Sequence, residues 1–158
     1  MCNTVSQIKF GTDGWRAIIA DTYTLENVKI LTQGVADYLG SGKKAAVGYD
    51  TRFMSGKFAE AAASVLRNNG IEVVLSDRPT PTPALSFAVK SRKLDLGIMI
   101  TASHNPAEYN GFKIKNSSGG GASEEMTREV EGLLGKTSVK DGALVEPIKA
   151  VDIIKDYI

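Results

Sequence analysis

A hydroxyl, an imidazole and a carboxamide stand in succession at Ser103, His104 and Asn105, within the run Thr101-Ala102-Ser103-His104-Asn105-Pro106. A serine in this setting has two chemical uses, as a nucleophile or as a carrier of phosphate. The uncharged run Leu96-Gly97-Ile98-Met99-Ile100 precedes it, and a short apolar run of this kind predicts a buried strand. The polar residues then fall where the strand leaves its sheet, the end at which open α/β sheets bind ligands. Pro106 has a fixed φ and biases Asn105 toward extended backbone, so the loop is stiff and presents Ser103. Adjacent residues on an extended segment face opposite sides, which argues against Ser103 and His104 acting as a hydrolase pair. The Gly-x-Ser-x-Gly elbow of α/β hydrolases is also absent.

The elements that must hold this loop alternate between strand and helix. Residues 8–20 form an irregular loop through Gly11-Thr12-Asp13-Gly14, then a short strand near Ala17-Ile18-Ile19. Thr24 is the predicted N-cap of a helix to residue 39, with Val28, Leu31, Val35 and Leu39 on its buried face and Gly40 as its stop. A strand at 45–49, a helix over 56–69 ended by Gly70, and a strand at 72–75 follow. Pro83 suits the first position of a helix to residue 91 with Thr82 as cap. The run Gly111-Phe112-Lys113-Ile114-Lys115 alternates like a strand with one polar face. Its connection from Ile100 is too short for a helical crossover, so it should lie antiparallel at an edge. Residues 118–121 are read as a turn and not as an anion nest, and a helix over 123–134 carries Glu124 and Glu125 in its first turn. Val151, Ile154 and Ile158 keep helical spacing, which predicts a terminal helix and a polypeptide that continues beyond it. The expected fold is a three-layer α/β/α sandwich, a single domain over 1–158, with a mainly parallel mixed sheet and an antiparallel edge strand.

Composition narrows the function classes. The 158 residues are 42% hydrophobic and 23% charged, as in an ordinary globular domain. The net charge of +1, without a basic run, gives no footprint for nucleic acid. No apolar stretch approaches the ~18 residues of a membrane span, and no secretory leader is visible, so a cytoplasmic location without membrane contact is expected. Cys2, the single cysteine, has no internal disulfide partner. Gly42-Lys43 enters a strand where a phosphate-binding P-loop would leave one, and no Gly-x-Gly-x-x-Gly follows a predicted strand. One histidine cannot build a histidine-rich metal site.

Four ordered motifs remain: Phe10-Gly11-Thr12-Asp13-Gly14-Trp15-Arg16, Gly48-Tyr49-Asp50-Thr51-Arg52, residues 101–106, and Tyr109-Asn110-Gly111-Phe112-Lys113. In this order they resemble the first domain of the α-D-phosphohexomutases, the phosphoglucomutase/phosphomannomutase family. The resemblance implies a phosphate on Ser103 that passes to a hexose monophosphate, giving a bisphosphorylated sugar that reorients and returns its other phosphate. It also implies Mg2+ on the phosphoserine, with the remaining protein ligands supplied by three aspartates of a second domain. No Asp-Gly-Asp-x-Asp loop occurs in this chain.

In that frame Ser103, Arg16, Lys113 and His104 are the expected catalytic and substrate-binding residues. Arg16 would neutralise phosphate oxygens with a planar fork, and Lys113 would assist proton transfer and hold phosphate. His104 would donate to a phosphate oxygen or orient the loop. Asp50 and Arg52 are expected to form an ion pair that holds it, and Trp15 to pack. The chain is thus read as a fragment of a longer mutase acting on glucose or mannose phosphates, with negligible turnover alone. The alternatives are a phosphoglucosamine mutase and a non-catalytic sugar-phosphate-binding or regulatory module.

Overall fold

The uncharged run at 96–100 forms a central strand. β4 (Leu96–Ile100) is buried along its whole length, parallel to β2 (Lys44–Tyr49) on one side and antiparallel to β5 (Tyr109–Lys115) on the other. β1 (Trp15–Ile18) adds outside β5, β3 (Glu72–Ser76) lies parallel to β2, and β6 (Ala150–Val151) lies parallel to β3. The sheet order is β1-β5-β4-β2-β3-β6 in this computed structural model, which describes residues 4–158. Cys2 lies outside the described residues.

Alternate residues of the central strands enter two different cores, as a side-chain period of two requires. Ala45, Val47, Ile98 and Ile100 meet α1 (Leu25–Leu39), α2 (Ser55–Asn68) and α4 (Glu124–Leu133) through Leu31, Phe58, Leu66 and Val130. Ala46 and Met99 meet Leu85 and Val89 of α3 (Thr82–Ser91) on the opposite face. The mixed sheet is thus covered by helices on both sides, the expected α/β/α arrangement with an antiparallel edge pairing.

Local signals account for most helix ends. The Thr24 hydroxyl accepts from the Asn27 amide at 3.1 Å, and Gly40 leaves the helix at a φ of 88°. Ser123 caps α4 through the Met126 amide at 3.1 Å. α3 starts one residue earlier than expected: Pro81 is its cap residue, and Thr82 makes no side-chain cap bond. Thr82 already has helical backbone, so its hydroxyl is no longer placed to cap.

Two expectations fail because of distant partners. The strand through Phe112 runs antiparallel to β4, but β1 takes the edge outside it, and Asn110 through Ile114 are all buried, leaving no solvent-facing polar stripe along the strand. The terminal helix does not form. Ala150 and Val151 pair with Leu75 and Ser76 of β3, and Ile153, two residues past Val151, is fully buried. Pairing the otherwise open edge of β3 satisfies backbone groups that a local helical spacing cannot reach. Only a turn survives near the terminus, with the Tyr157 and Ile158 amides donating to the Ile154 carbonyl.

Candidate active site

β2 and β4 end side by side, with Tyr49 opposite Ile100, so Asp50 and Thr101 enter the same carboxyl edge of the sheet. Thr101 Oγ1 donates to Asp50 Oδ2 at 2.6 Å and accepts from the Ser103 amide at 3.0 Å. Asp50 Oδ1 accepts from the Arg52 amide at 2.9 Å and from the Ser55 hydroxyl at 2.7 Å. Ser55 in turn accepts from the buried Asn110 amide nitrogen at 2.9 Å. Side chains from β2, α2, β4 and β5 therefore meet beneath the serine loop.

Ser103 itself has a φ of 56°. This left-handed conformation costs a residue with a Cβ about 1–3 kcal/mol and persists only where its surroundings over-determine it. Its side chain is exposed. The turn also changes the relation of Ser103 to His104: the backbone is not extended there, and Ser103 Oγ lies 3.4 Å from His104 Nδ1. The opposite-sides argument fails at this step, although 3.4 Å is long for a hydrogen bond.

The cations gather across the cleft. Arg16 on β1 lies opposite Gly111 of β5 and donates through Nη1 to Asn105 Oδ1 and through Nη2 to Asp13 Oδ2 at 3.0 Å. Lys113 Nζ, on a nearly buried side chain, donates to the same Asp13 oxygen at 2.8 Å. The Lys113 hydrogen bond chiefly holds the Asp13 carboxyl below its ordinary value of 3.8; partial burial opposes it, and the Lys113, Arg16 and Lys115 charges assist. Burial, with the Asp50 charge behind it, pushes the Tyr23 phenol well up. It stays protonated and donates to the Gly111 carbonyl at 2.7 Å.

Arg16, His104 and Asn105 line one depression with Asp13; Ser103 lines the next with Asn105, Asp50 and Arg52. Lys113 lines a third groove of about 490 Å3 that also contains Asp13. The four expected residues thus occupy adjoining hollows, joined by Asn105 and Asp13. Neither linker was assigned a role from sequence. Asp13 had a legible signal in its position three residues before Arg16, whereas Asn105 had only its place in the loop.

The bland readings separate here too. Lys113 is not an outward-facing edge charge, and Trp15 is a packing residue, buried and stacked on Tyr23 at 4.7 Å. The turn at 118–121 is closed by Asn116, whose Oδ1 accepts from the Ser118 and Gly120 amides. Those N–H groups are spent internally, as a turn and not a nest.

Residues 7–140 match the family described as phosphoglucomutase/phosphomannomutase, alpha/beta/alpha domain I. The chain belongs to the phosphoglucomutase/phosphomannomutase family. It is 38% identical over 148 residues to a phosphoglucomutase of Staphylococcus saprophyticus, covering 85% of this chain and 26% of that relative. It is 40% identical over 127 residues to a "probable phosphoglucosamine mutase" of Methanosphaera stadtmanae, covering 79% and 28%. A crystal structure of a "putative phosphomannomutase" from Thermus thermophilus superposes with a TM-score of 0.87 at 37% identity, over 96% of this chain and 34% of that one. The chain spans about a quarter to a third of the length of these mutase-family relatives.

The family implies magnesium, and the donor set here does not fit the ion unaided. Magnesium takes near-octahedral oxygen coordination. Among the described residues no group of three or more His, Cys, Asp or Glu side chains is placed to hold a metal. Asp13 is already engaged by Arg16 and Lys113. No described helix is long and apolar enough to cross a membrane.

Proposed function

We infer that this chain is the serine-bearing domain of a cytoplasmic hexose phosphomutase, with Ser103 as the group that carries phosphate between positions of a glucose or mannose phosphate. The observation that carries the reading is the serine loop: an exposed Ser103 hydroxyl held in left-handed backbone, beside a cleft that contains Arg16 and Lys113.

In the forward step a sugar hydroxyl attacks the phosphorus of phosphoserine. The Oγ–P bond breaks as the new O–P ester forms, the attacking hydroxyl gives up its proton to a base, and the departing Ser103 Oγ takes up a proton to become the free hydroxyl. Such a transfer depends on positioning and on neutralising charge over the equatorial oxygens. Arg16 is assigned to that charge, since its partners Asn105 and Asp13 are side chains that can rotate away as phosphate arrives. Lys113 is assigned to the phosphate and the transferred proton, and His104 to orienting the serine hydroxyl. The bisphosphorylated sugar returns its other phosphate to Ser103 by the reverse of the same bond changes. Any magnesium ligands besides the phosphoserine belong to domains beyond this chain, and by itself the chain interconverts hexose phosphates negligibly.

A chimera tests this directly: this chain replaces the matching segment of the Staphylococcus saprophyticus phosphoglucomutase. The chimera should interconvert glucose 1-phosphate and glucose 6-phosphate, and Ser103→Ala should abolish that activity while leaving the fold intact. A folded chimera that binds hexose phosphate without turnover would instead make this a binding module.

A further inference from the structure

Arg52 is surrounded by acceptors that belong to one loop. Its Nη1 donates to the carbonyls of Pro106 at 2.8 Å and Tyr109 at 3.0 Å. Its Nη2 donates to those of Ser103 at 2.8 Å and Asn105 at 2.6 Å. Its Nε faces Asp50 Oδ2 at 3.4 Å. A guanidinium has five N–H donors in a rigid fork, and here the four of Nη1 and Nη2 are given to backbone carbonyls, while Nε keeps ion-pair distance to a carboxylate. The forked Nη pair that would grip a phosphate is fully taken up by the loop.

The same loop is held from its other end. Asp50 Oδ2 receives Thr101 Oγ1, and Thr101 Oγ1 receives the Ser103 amide, so both the N–H and the C=O of Ser103 are tied down. What remains untied is the side chain. A left-handed residue with a Cβ requires this kind of over-determination, and Arg52 and Thr101 each supply one of the two bonds to the Ser103 backbone.

We propose that Arg52, paired with Asp50, is a positioning residue for phosphoryl transfer, one that fixes the direction of the Ser103 hydroxyl without touching phosphate. The proposal rests on the reading of Ser103 as the phosphate carrier. It gives Arg52 a role unlike that of Arg16, whose donors go to exchangeable side chains. Lysine cannot replace it, because a single ammonium on a flexible stem does not span four carbonyls.

The test uses Arg52→Lys and Arg52→Ala in both the isolated chain and the chimera. In the isolated chain, amide hydrogen exchange across 103–109 should speed up in either variant, while exchange in the core of β4 stays slow. In the chimera, Arg52→Lys should lower kcat about a hundredfold with KM for glucose 1-phosphate little changed, since misplacement of a reacting group by about 1 Å costs that much. Added guanidinium should restore part of the Arg52→Ala rate, and added ammonium should not. Unchanged exchange, an unchanged kcat, or a loss confined to KM would each overturn the proposal, the last by making Arg52 a phosphate ligand. If the unmodified chimera forms no phosphoserine, the Ser103 reading has failed on its own, and faster loop exchange would still establish the clamp as structural only.

Discussion

Two arginines at the same sheet edge make opposite kinds of contact. Arg52 directs its donors at the backbone carbonyls of Ser103, Asn105, Pro106 and Tyr109, groups that cannot leave without unfolding the loop. Arg16 directs its donors at the side chains of Asn105 and Asp13, groups that move by a rotamer change. The contrast extends to their surroundings. The serine loop is tied through Asp50, Thr101, Ser55 and Asn110 to three strands and a helix, whereas Arg16 and Lys113 share one carboxylate that is more than half exposed. On the proposed function, a rigid serine beside exchangeable cations suits phosphoryl transfer: geometry set in advance, with charge free to follow the phosphate.

Breaking the exchangeable side should have the largest effect after loss of the serine itself. Lys113→Met in the chimera should lower kcat by about 10²–10³, in line with removal of a preorganised donor at a developing charge. Thermal unfolding measured alongside should shift little. A Lys113→Met chimera with full activity would leave the Asp13–Lys113 pair a structural detail.

The rigid side answers in stability. A Cβ at Gly111 would lie 2.4 Å from the Thr101 carbonyl oxygen and 3.1 Å from that of Trp15. Neither backbone group can retreat, so Gly111→Ala should destabilise the isolated chain by about 1–3 kcal/mol, the usual cost of overpacking. Denaturant unfolding reads this directly. An unchanged midpoint would mean that β1, β5 and the serine loop are less tightly registered than their hydrogen bonds indicate.

The smallest effect sharpens the comparison through pH. The Asp13 carboxyl is held below its ordinary 3.8, chiefly by the Lys113 hydrogen bond. A carboxylate with a lowered folded value contributes stability that is present above the unfolded value and lost as pH falls through the folded one. Asp13→Asn should therefore cost under about 1 kcal/mol at neutral pH, as for a largely exposed pair. The difference from the parent should close as pH drops below 3.8. A difference that persists in acid would place the cost in packing and not in charge.

The parts of this molecule legible in its sequence are those governed by neighbours in the chain. Thr24 and Ser123 cap the helices they precede, the run at 96–100 is a buried strand, and the short link after Ile100 makes the next strand antiparallel. The two misread elements went wrong through partners far along the chain, whereas the cap of α3 and the turn at Ser103 were missed locally. Ala150 and Val151 leave helical spacing for the edge of β3, and β1 takes the sheet edge that β5 was expected to occupy.

The candidate site divides in the same way. Ser103, His104, Arg16 and Lys113 were visible because their types and motifs carry chemistry. The left-handed turn at Ser103 was not, since proline rules speak only to Asn105 and Pro106, and no glycine marks the position. The four-carbonyl span of Arg52 was invisible too, although its pairing with Asp50 was expected and is present at 3.4 Å.

The most direct measurement is to map phosphate by tandem mass spectrometry on the chimera after incubation with glucose 1,6-bisphosphate and magnesium. A rigid serine built to carry phosphate predicts one phosphate, located on Ser103 and absent from Ser103→Ala. An active chimera with no phosphate on Ser103, or with phosphate on another residue, would contradict it.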